Sequence, residues 1–340
     1  MPTPRTSRNG ARRSVTIEDV ARSAGVSRQT VSRAINDKPE IDPQTRAHVL
    51  QVAQTLGYRP NRHARGMAGS SLTTLGLVVA DVLNPFFPEV VAGVMDAADE
   101  RGWQVAVYST GSALEREQTV AATIADHVDA CIGYFDDDTA VERVRASGIP
   151  LVLLDHDTRP PGVGGVRIDF EAGMRQALGH LTGAGHRRIV MLDDQGRDDA
   201  AAPRTRHHLF RSLVTEYGLD PAETWVVPVA NSVQGGADGM DRVLADHPDA
   251  TAVLGYNDLI TVGALRRARE RGLVVPDDCA FVGCDGLALA ELVEPPLTTL
   301  YVDKRQVGRA AVEQVAALLR GGPAQPETVI VPSLVVRQST

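Results

Sequence analysis

The residues that follow Ser27 carry side chains that can read DNA. Four of them are predicted to share the outer face of one helix: Arg28, Gln29, Ser32 and Arg33. In a major groove, Arg pairs with guanine and Gln with adenine, while Ser and Arg also bind phosphate. We therefore predict that Arg28 and Gln29 read bases, and that Arg33 reaches a base or a phosphate.

The surrounding residues predict the helices that would position this face. Thr16 can cap a first helix, Gly25 permits the left-handed turn that ends it, and Ser27 can cap the second, recognition helix. A third helix is expected to begin at Pro43, with Asp42 as its cap. This is the spacing of a helix-turn-helix, whose second helix places its first residues on base edges. A small helical hairpin with a solvated polar face is the alternative.

The basic charge of the chain is concentrated near its start. Residues 1–69 contain 12 Lys and Arg against 5 Asp and Glu, a net charge of +7. The remaining residues contain 23 against 38, a net charge of −15. A basic head on an acidic body indicates that only the head meets nucleic acid, because phosphate repels the body.

The 340 residues divide into four parts by composition. Residues 1–13 are expected to be a disordered basic tail, which either adds phosphate contacts or is idle. The helix-turn-helix DNA-binding headpiece covers 14–59. Residues 60–71 are either a hinge helix that orders on DNA or beside a second copy, or a plain linker. An effector-binding and dimerisation domain is predicted over 72–340.

The long C-terminal part alternates buried strands with amphipathic helices, beginning at Leu72. Such alternation predicts parallel sheets with right-handed crossovers and helices on both faces. The series runs twice, which indicates two lobes with a cleft between them. The fold class is therefore an all-α headpiece plus a two-lobed α/β domain. The first lobe is placed at about 72–168 and 301–324, and the second at about 169–300 and 325–340.

Polar and aromatic side chains cluster where predicted strands end, which is the edge at which such sheets bind ligands. Carboxylates, an amide and a guanidinium there could bind hydroxyl groups, and two phenylalanines could form an apolar wall. These residues are Asp81, Phe86, Phe87, Asp155, Arg206, Asn257, Asp258 and Asp285. Structural roles are the alternatives. Asp81 could cap the helix after Pro85, Asp258 is expected to cap the helix that follows it, and either phenylalanine could be core.

The sequence contains no motif for catalysis, and we expect neither an enzyme nor a cofactor nor a metal. A glycine-rich phosphate loop, a G-x-S-x-G elbow and an H-E-x-x-H pair are all missing. Cys131, Cys279 and Cys284 lack metal spacing, and the adjacent His207 and His208 should point to different helix faces. No signal peptide or long apolar run is present, so we expect a cytoplasmic protein without a membrane segment.

Several runs of the sequence resemble the lactose/galactose repressor family (LacI/GalR). The runs are VTIEDVARSAGVSRQTVSRAIN, TRAHVLQVAQTLGYRPNRHARGMAGS, LGLVVADVLNPFF, HLTGAGHRRI, GYNDLITVGAL, FVGCDGLALAELVEPPLTTL and PSLVVRQS. The resemblance extends from Ser14 to Arg337 and is most specific in the headpiece. It implies a dimeric regulator that binds a pseudo-palindromic double-stranded operator. It also implies a body like a periplasmic sugar-binding protein, in which a small effector opens or closes the lobes.

The same resemblance implies roles for individual residues. Bases are contacted from the recognition helix, Asn61 begins the hinge helix, and Met67 replaces the leucine that usually wedges into the minor groove. The DNA-contacting set is Thr16, Ser27, Arg28, Gln29, Thr30, Ser32, Arg33, Asn36, Asn61, Arg62, Ala64 and Met67. Asn231 falls where several members have a stacking aromatic residue. The effector-binding set is Asp81, Phe86, Phe87, Asp155, Arg206, Asn231, Asn257 and Asp285.

The leading hypothesis is a sequence-specific dimeric repressor gated by a small polar effector, most simply a sugar. A regulator that answers to a nucleoside or another metabolite, or that acts as an activator, is left open. A solute-binding receptor without DNA function is the alternative from another class. The basic headpiece and the missing signal peptide oppose it.

Overall fold

The computed structural model describes residues 16–35, 41–56, 73–195 and 205–340. The chain divides into two compact units, Met1–Leu72 and Thr73–Thr340. The predicted basic tail and hinge helix lie outside the described residues, as do five predicted DNA-contacting residues: Asn36, Asn61, Arg62, Ala64 and Met67.

In its described residues, 16–35 and 41–56, the first unit contains three short helices, which are α1 (Ile17–Ala24), α2 (Arg28–Ile35) and α3 (Pro43–Thr55). Each begins at the predicted cap. The Thr16 hydroxyl accepts from the Asp19 amide at 3.3 Å, the Ser27 hydroxyl from the Thr30 amide at 3.1 Å, and the Asp42 carboxylate from the Thr45 amide at 2.9 Å. Their small core consists of Val20, Ala21, Ala24, Val31, Ala34, Val49 and Ala53.

Gly25 makes the turn between the first two helices. Its φ of 66° lies in the left-handed region, which glycine adopts at no steric cost. Val26, directly after it, packs against the small core and closes the corner. The predicted helix-turn-helix is thereby confirmed.

The second unit begins with a lobe built on a six-stranded sheet. Its strands are β1 (Thr74–Val79), β2 (Gln104–Ser109), β3 (Ala130–Gly133), β4 (Leu151–Leu154), β5 (Gly164–Ile168) and β11 (Thr328–Ile330). They lie in the order β2-β1-β3-β4-β5-β11 and are parallel throughout. The helices of this first lobe are α4 (Phe86–Asp99), α5 (Leu114–Thr123), α6 (Asp138–Ala146) and α12 (Lys304–Leu319), with a 3-10 turn at Ile124–Asp126.

The second lobe repeats the plan. Its strands are β6 (Ile189–Asp194), β7 (Thr224–Val229), β8 (Ala252–Gly255), β9 (Ala280–Asp285), β10 (Thr298–Tyr301) and β12 (Ser333–Val335). The order is β7-β6-β8-β9-β10-β12. The helices are α7 (Phe170–Gly183), α8 (Arg206–Val214), α9 (Val233–Asp246), α10 (Asp258–Glu270) and α11 (Leu289–Leu292), with a 3-10 turn at Pro221–Glu223. The pairing of β10 with β12 is antiparallel, which corrects the prediction of a wholly parallel sheet.

The central strands are apolar runs buried on both faces, as parallel sheets require. The predicted two-lobed α/β architecture is confirmed. The chain passes between the lobes after β5, after β10 and after β11. Because β11 pairs with β5, the last crossing falls after Ile330, whereas the sequence placed residues from 325 onward in the second lobe.

Two glycines set the distance between helices α9 and α10 in the second lobe. A Cβ atom on Gly236 would collide with the carbonyl oxygen of Ile260, and one on Gly263 with that of Val233. These backbones therefore touch, which fixes the orientation of two elements that border the cleft described below.

Gly236→Ala is expected to lower the free energy of unfolding by about 1–3 kcal/mol, because the added methyl must push the two backbones apart. Urea unfolding of the full chain measures this. Gly183→Ala is the matched control, since a Cβ there would meet nothing within 4 Å. Equal unfolding midpoints for the two variants would contradict the close crossing.

Candidate functional site

The first candidate site is the exposed face of α2 in the headpiece. Arg28, Gln29 and Arg33 are exposed, and Thr30 and Ser32 are half-buried. The Arg28 guanidinium lies 3.6 Å from the Glu18 carboxylate, and both side chains are largely exposed. Such surface pairs contribute roughly 0–1 kcal/mol to stability, so Arg28 can leave Glu18 at little cost in order to bind DNA.

Hydroxyl groups fix the start of the same helix. The Ser27 and Thr30 hydroxyl oxygens lie 2.9 Å apart, and Ser27 also accepts from the backbone of the first turn. Thr16 does the same for α1, where the Asp19 carboxylate bonds back to the Thr16 amide at 3.0 Å. The face is therefore presented by a short, well-capped helix whose positive N-terminal end suits phosphate.

The second candidate site is a cavity of about 560 Å³ between the two lobes. It lies at the carboxyl ends of the strands of both sheets, where α/β proteins bind ligands. Its lining includes all eight residues of the predicted effector-binding set. Sequence reasoning missed other lining residues, among them Asn84, Tyr134, Asp136, Phe170, Asp194 and Tyr256.

Arg206, the first residue of α8, is held on both faces. Its Cζ atom lies 3.9 Å from the centroid of the Phe170 ring and 4.0 Å from that of Tyr256. The guanidinium donates a hydrogen bond to the carbonyl oxygen of Tyr256, and its Nη2 lies 3.8 Å from Oδ1 of Asp285. Stacking and hydrogen bonding therefore fix the one cation that the described residues bring to the cavity.

Two carboxylates reach the cavity from strained backbone. Asp155 directly follows β4 with a φ of 48°, and Asp285 ends β9 with a φ of 110°, a region that L-residues rarely occupy. Asp285 is buried, and burial raises the pKa of its carboxyl to about 6 although Arg206 and Lys304 act against the rise. Strain and burial of this kind collect at functional sites.

Asn231 belongs to a polar ladder along the second-lobe wall. Its Nδ2 donates to the Asp194 carboxylate at 2.8 Å, and its Oδ1 accepts from Nδ2 of Asn257 at 2.7 Å. The Oδ1 of Asn257 in turn accepts from the Ile260 amide at 3.0 Å and caps α10. The wall around Asn231 is therefore made of two amides and a carboxylate.

Three aromatic rings line the first-lobe side. Phe87 contacts Phe86 and Tyr134 edge to face, with ring centroids 5.4 and 5.2 Å apart. Phe86 is both buried in the core and part of the lining, so its two predicted roles coexist. The Phe86 amide bonds to Asn84 at 3.0 Å, while Asp81 accepts from the Leu83 amide, so Asp81 does not cap the helix that follows.

Asp258 does not cap the helix after it, which corrects the expected role. Asn257 is the cap, and Asp258 is a buried first residue of α10. Its carboxylate accepts from the Thr299 hydroxyl at 2.6 Å and from the Leu287 amide at 2.7 Å. Burial, and then the charge of Asp285, raise its pKa to about 7.

Stability is expected to fall as pH rises from about 4 to about 7. The ordinary pKa of Asp is 3.8, so the native state retains protons at Asp258 and Asp285 after the unfolded chain has lost them. Each such proton contributes a slope of roughly 1.4 kcal/mol per pH unit, and the stabilisation is lost as pH passes the native pKa. Chemical unfolding at several pH values measures it. Asp258→Asn should give a shallower slope, and an unchanged slope would refute the assignment.

The remaining titratable groups show no catalytic arrangement within the described ranges. The predicted separation of His207 and His208 is wrong, because their ring centroids lie 4.4 Å apart, and His207 Nδ1 lies 3.0 Å from the Asp193 carboxylate. Burial raises the pKa of each cysteine thiol to about 12. No group of three potential metal ligands occurs in the part of the chain that the structure describes. None of the described helices is both long enough and apolar enough to cross a bilayer.

A helix-turn-helix unit and a two-lobed receptor with a cleft define the class of DNA-binding regulators that carry a ligand domain. Comparison with known families agrees. Residues 16–61 match the model for bacterial regulatory proteins of the lacI family, and residues 178–340 match the periplasmic binding protein-like domain.

Similar proteins include the HTH-type transcriptional regulator DegA of Bacillus subtilis (strain 168). It is 31% identical over 336 residues, covering 96% of this chain and 98% of DegA. Two solved structures are also similar. A complex of the transcriptional regulator CelR with cellobiose has a TM-score of 0.70 at 30% identity and covers 96% of this chain and all of CelR. The lac repressor dimer bound to operator and the anti-inducer ONPF has a TM-score of 0.72 at 29% identity, with coverages of 96% and 99%.

The chain belongs to the lacI family of bacterial regulatory proteins. It is a DNA-binding regulator of transcription and not an enzyme, as the sequence predicted.

Proposed function

We propose that the protein is a dimeric repressor whose affinity for a pseudo-palindromic operator is set by a saccharide bound between the two lobes. One observation carries the proposal. The cavity takes its lining from both lobes, with Asp81, Phe86, Phe87 and Asp155 on one side and Arg206, Asn231, Asn257 and Asp285 on the other. A ligand that touches both sides binds differently to open and closed arrangements, and so it shifts their populations.

The chemistry of the lining supports a polyhydroxylated ligand. Carboxylates and amides bind hydroxyl groups, and the Phe86–Phe87–Tyr134 rings offer an apolar surface to the face of a sugar ring. The similar regulator CelR was solved in complex with cellobiose, a disaccharide. We extend that ligand class to this chain.

On the DNA side, Arg28 and Gln29 read bases, Arg33 contacts a base or phosphate, and the capped helix ends position the backbone contacts. The backbone contacts come from Thr16, Ser27, Thr30 and Ser32. Further DNA contacts are predicted from the sequence alone, at Asn36, Asn61, Arg62, Ala64 and Met67. The lac repressor structure contains a dimer on its operator, and we propose the same stoichiometry here, in the cytoplasm that holds the DNA.

Ligand and operator are then linked. If each favours a different lobe arrangement, each weakens the other by the same factor. The test is operator affinity of the full chain with and without a saccharide that raises its thermal unfolding midpoint. A saccharide that stabilises the protein and leaves operator affinity unchanged would overturn the proposal.

Arg28→Ala is expected to cost about 1–3 kcal/mol of operator binding, confined to particular base pairs of each half-site. Fluorescence anisotropy on operators selected from a random pool, and on single-base variants of them, measures the loss. Arg22→Ala is the control, since Arg22 is equally exposed but lies on α1, paired with Asp19. A loss that is uniform across all sequences would mean that Arg28 touches only phosphate.

A further inference from the structure

We infer that the cleft selects a saccharide without an anionic group and rejects phosphorylated and carboxylated sugars. This inference rests on the proposed function and narrows its ligand class. It starts from the charges of the cavity wall, where five carboxylates face one guanidinium among the described lining residues. The carboxylates are Asp81, Asp136, Asp155, Asp194 and Asp285, and the guanidinium is that of Arg206.

The structure does not describe residues 196–204, and their net charge in the sequence is zero. They contain two arginines and two aspartates. The carboxylates also come from both lobes, with three from the first and two from the second. An anionic group would therefore meet negative charge on either side of the cleft.

Arg206 is poorly placed to receive a phosphate. Both faces of its guanidinium are covered by the rings of Phe170 and Tyr256. Its edge donates to the Tyr256 carbonyl and faces Asp285. Strong phosphate sites use an arginine fork that is free to bind two oxygens at once, together with further donors.

Three helix ends at the cavity, those of α4, α9 and α10, are also occupied, whereas α8 begins at Arg206 without a side-chain cap. A helix N-terminus attracts phosphate through its unpaired amides. Here the Phe86 amide of α4 bonds to Asn84, the Gly235 amide of α9 bonds to Ser232, and the Ile260 amide of α10 bonds to Asn257. All three capping side chains line the cavity, so the helices present oxygen atoms and amides where an anion site would present backbone N–H groups.

The acceptor oxygens and side-chain amides of this wall suit the hydroxyl groups of a neutral sugar. Carboxylate oxygens accept hydrogen bonds from hydroxyls, and the side-chain amides can donate or accept. A protonated amine would add attraction to the carboxylates. The expected order of affinity is therefore amino sugar equal to or above neutral sugar, with the sugar phosphate weakest.

The experiment uses the full chain and matched sets of probes that differ in one substituent. The sets are glucose, glucosamine and glucose 6-phosphate; ribose and ribose 5-phosphate; and cellobiose with its 6-phosphate. Thermal unfolding identifies sets that stabilise the protein, and calorimetric titration gives the affinities. In any set that binds, the phosphorylated member should be at least ~10-fold weaker than the neutral one. A phosphate that binds equally well or better would overturn the inference, as would a panel in which no saccharide binds.

A charge variant separates electrostatic exclusion from simple lack of space. In Asp81→Asn/Asp136→Asn, which is nearly isosteric, the ratio between neutral and phosphorylated affinities should narrow by several-fold. Asp157→Asn is the control, because Asp157 is exposed and does not line the cavity. An unchanged ratio in the double variant would overturn the role of charge.

The experiments distinguish failure of this inference from failure of the proposed function. If a sugar phosphate proves to control operator affinity, the ligand-gated repressor stands and only the exclusion of anions falls. If a neutral sugar binds but leaves operator affinity unchanged, the selectivity stands and the gating falls.

Discussion

Lys304→Met should lower the free energy of unfolding of the second unit by about 3–5 kcal/mol, because it breaks a buried charge network and leaves its partners unsatisfied. Lys304 begins α12 and is 1% exposed. Its Nζ donates to the carbonyl oxygens of Asp285 at 2.7 Å, of Gly286 at 3.2 Å and of Val302 at 3.2 Å. Methionine is an unbranched side chain one atom shorter than lysine and supplies none of these donors.

The same ammonium joins the two lobes near the cleft. It lies 3.6 Å from a carboxylate oxygen of Glu89 on α4, in the first lobe, while the carbonyls of Asp285 and Gly286 belong to the second. Asp285 has the strained φ of 110° and sends its carboxylate into the cavity. Losing Lys304 should therefore also disturb Asp285, and ligand binding should weaken along with stability.

Urea unfolding with an extrapolation to water measures the loss. Arg305→Met is the matched control, since Arg305 is the next residue on α12 but forms an exposed pair with Asp96. That pair should contribute no more than about 1 kcal/mol. If both variants unfold at the wild-type midpoint, the buried ammonium does not hold the lobes in the way that its contacts indicate.

The strand ends were readable in the sequence, because each follows an apolar run that ends in a turn. Parallel strands bring their carboxyl ends to one edge, so Asp155, Asn257 and Asp285 could be assigned to a single cleft without coordinates. The capped helices of the headpiece were readable for a similar reason. Their signals, such as Thr16, Ser27 and Asp42, act within three or four residues.

The partners of those residues were not readable, because they depend on packing between distant segments. Nothing near Arg206 in the sequence shows that Phe170 and Tyr256 cover its two faces. The ladder from Asp194 through Asn231 to Asn257 joins three loops that only the sheet order brings together. Lys304 resembles any exposed lysine at the start of an amphipathic helix.

Short edge strands were missed for a different reason. β11 and β12 have three residues each, too few for a period-two pattern to stand out. Their pairing decides where the chain makes its last crossing between lobes, so the predicted boundary fell before β11. The sequence assigned the helix cap to Asp258, one residue after the true cap, Asn257. Only the hydrogen bonds of the two side chains distinguish their roles.

Arg206→Met is expected to abolish the response to ligand while operator binding is retained. The guanidinium orders the second-lobe wall through Tyr256 and Asp285, and we expect its loss to cost ligand binding about 2 kcal/mol or more, the lower end of the cost of truncating a buried charged pair at an interface. The ligand affinity should therefore fall by at least ~30-fold. The headpiece is a separate compact unit, so affinity for the operator without ligand should stay within about twofold of wild type.

A second readout comes from Asp285. Its pKa of about 6 results from burial opposed by Arg206 and Lys304, so removing the guanidinium should raise that pKa further. NMR titration of the labelled side chain can detect this rise. Arg211→Met, on the exposed side of the same helix, should change neither the pKa nor the ligand affinity. If Arg206→Met binds ligand with wild-type affinity, the stacked guanidinium has only a structural role.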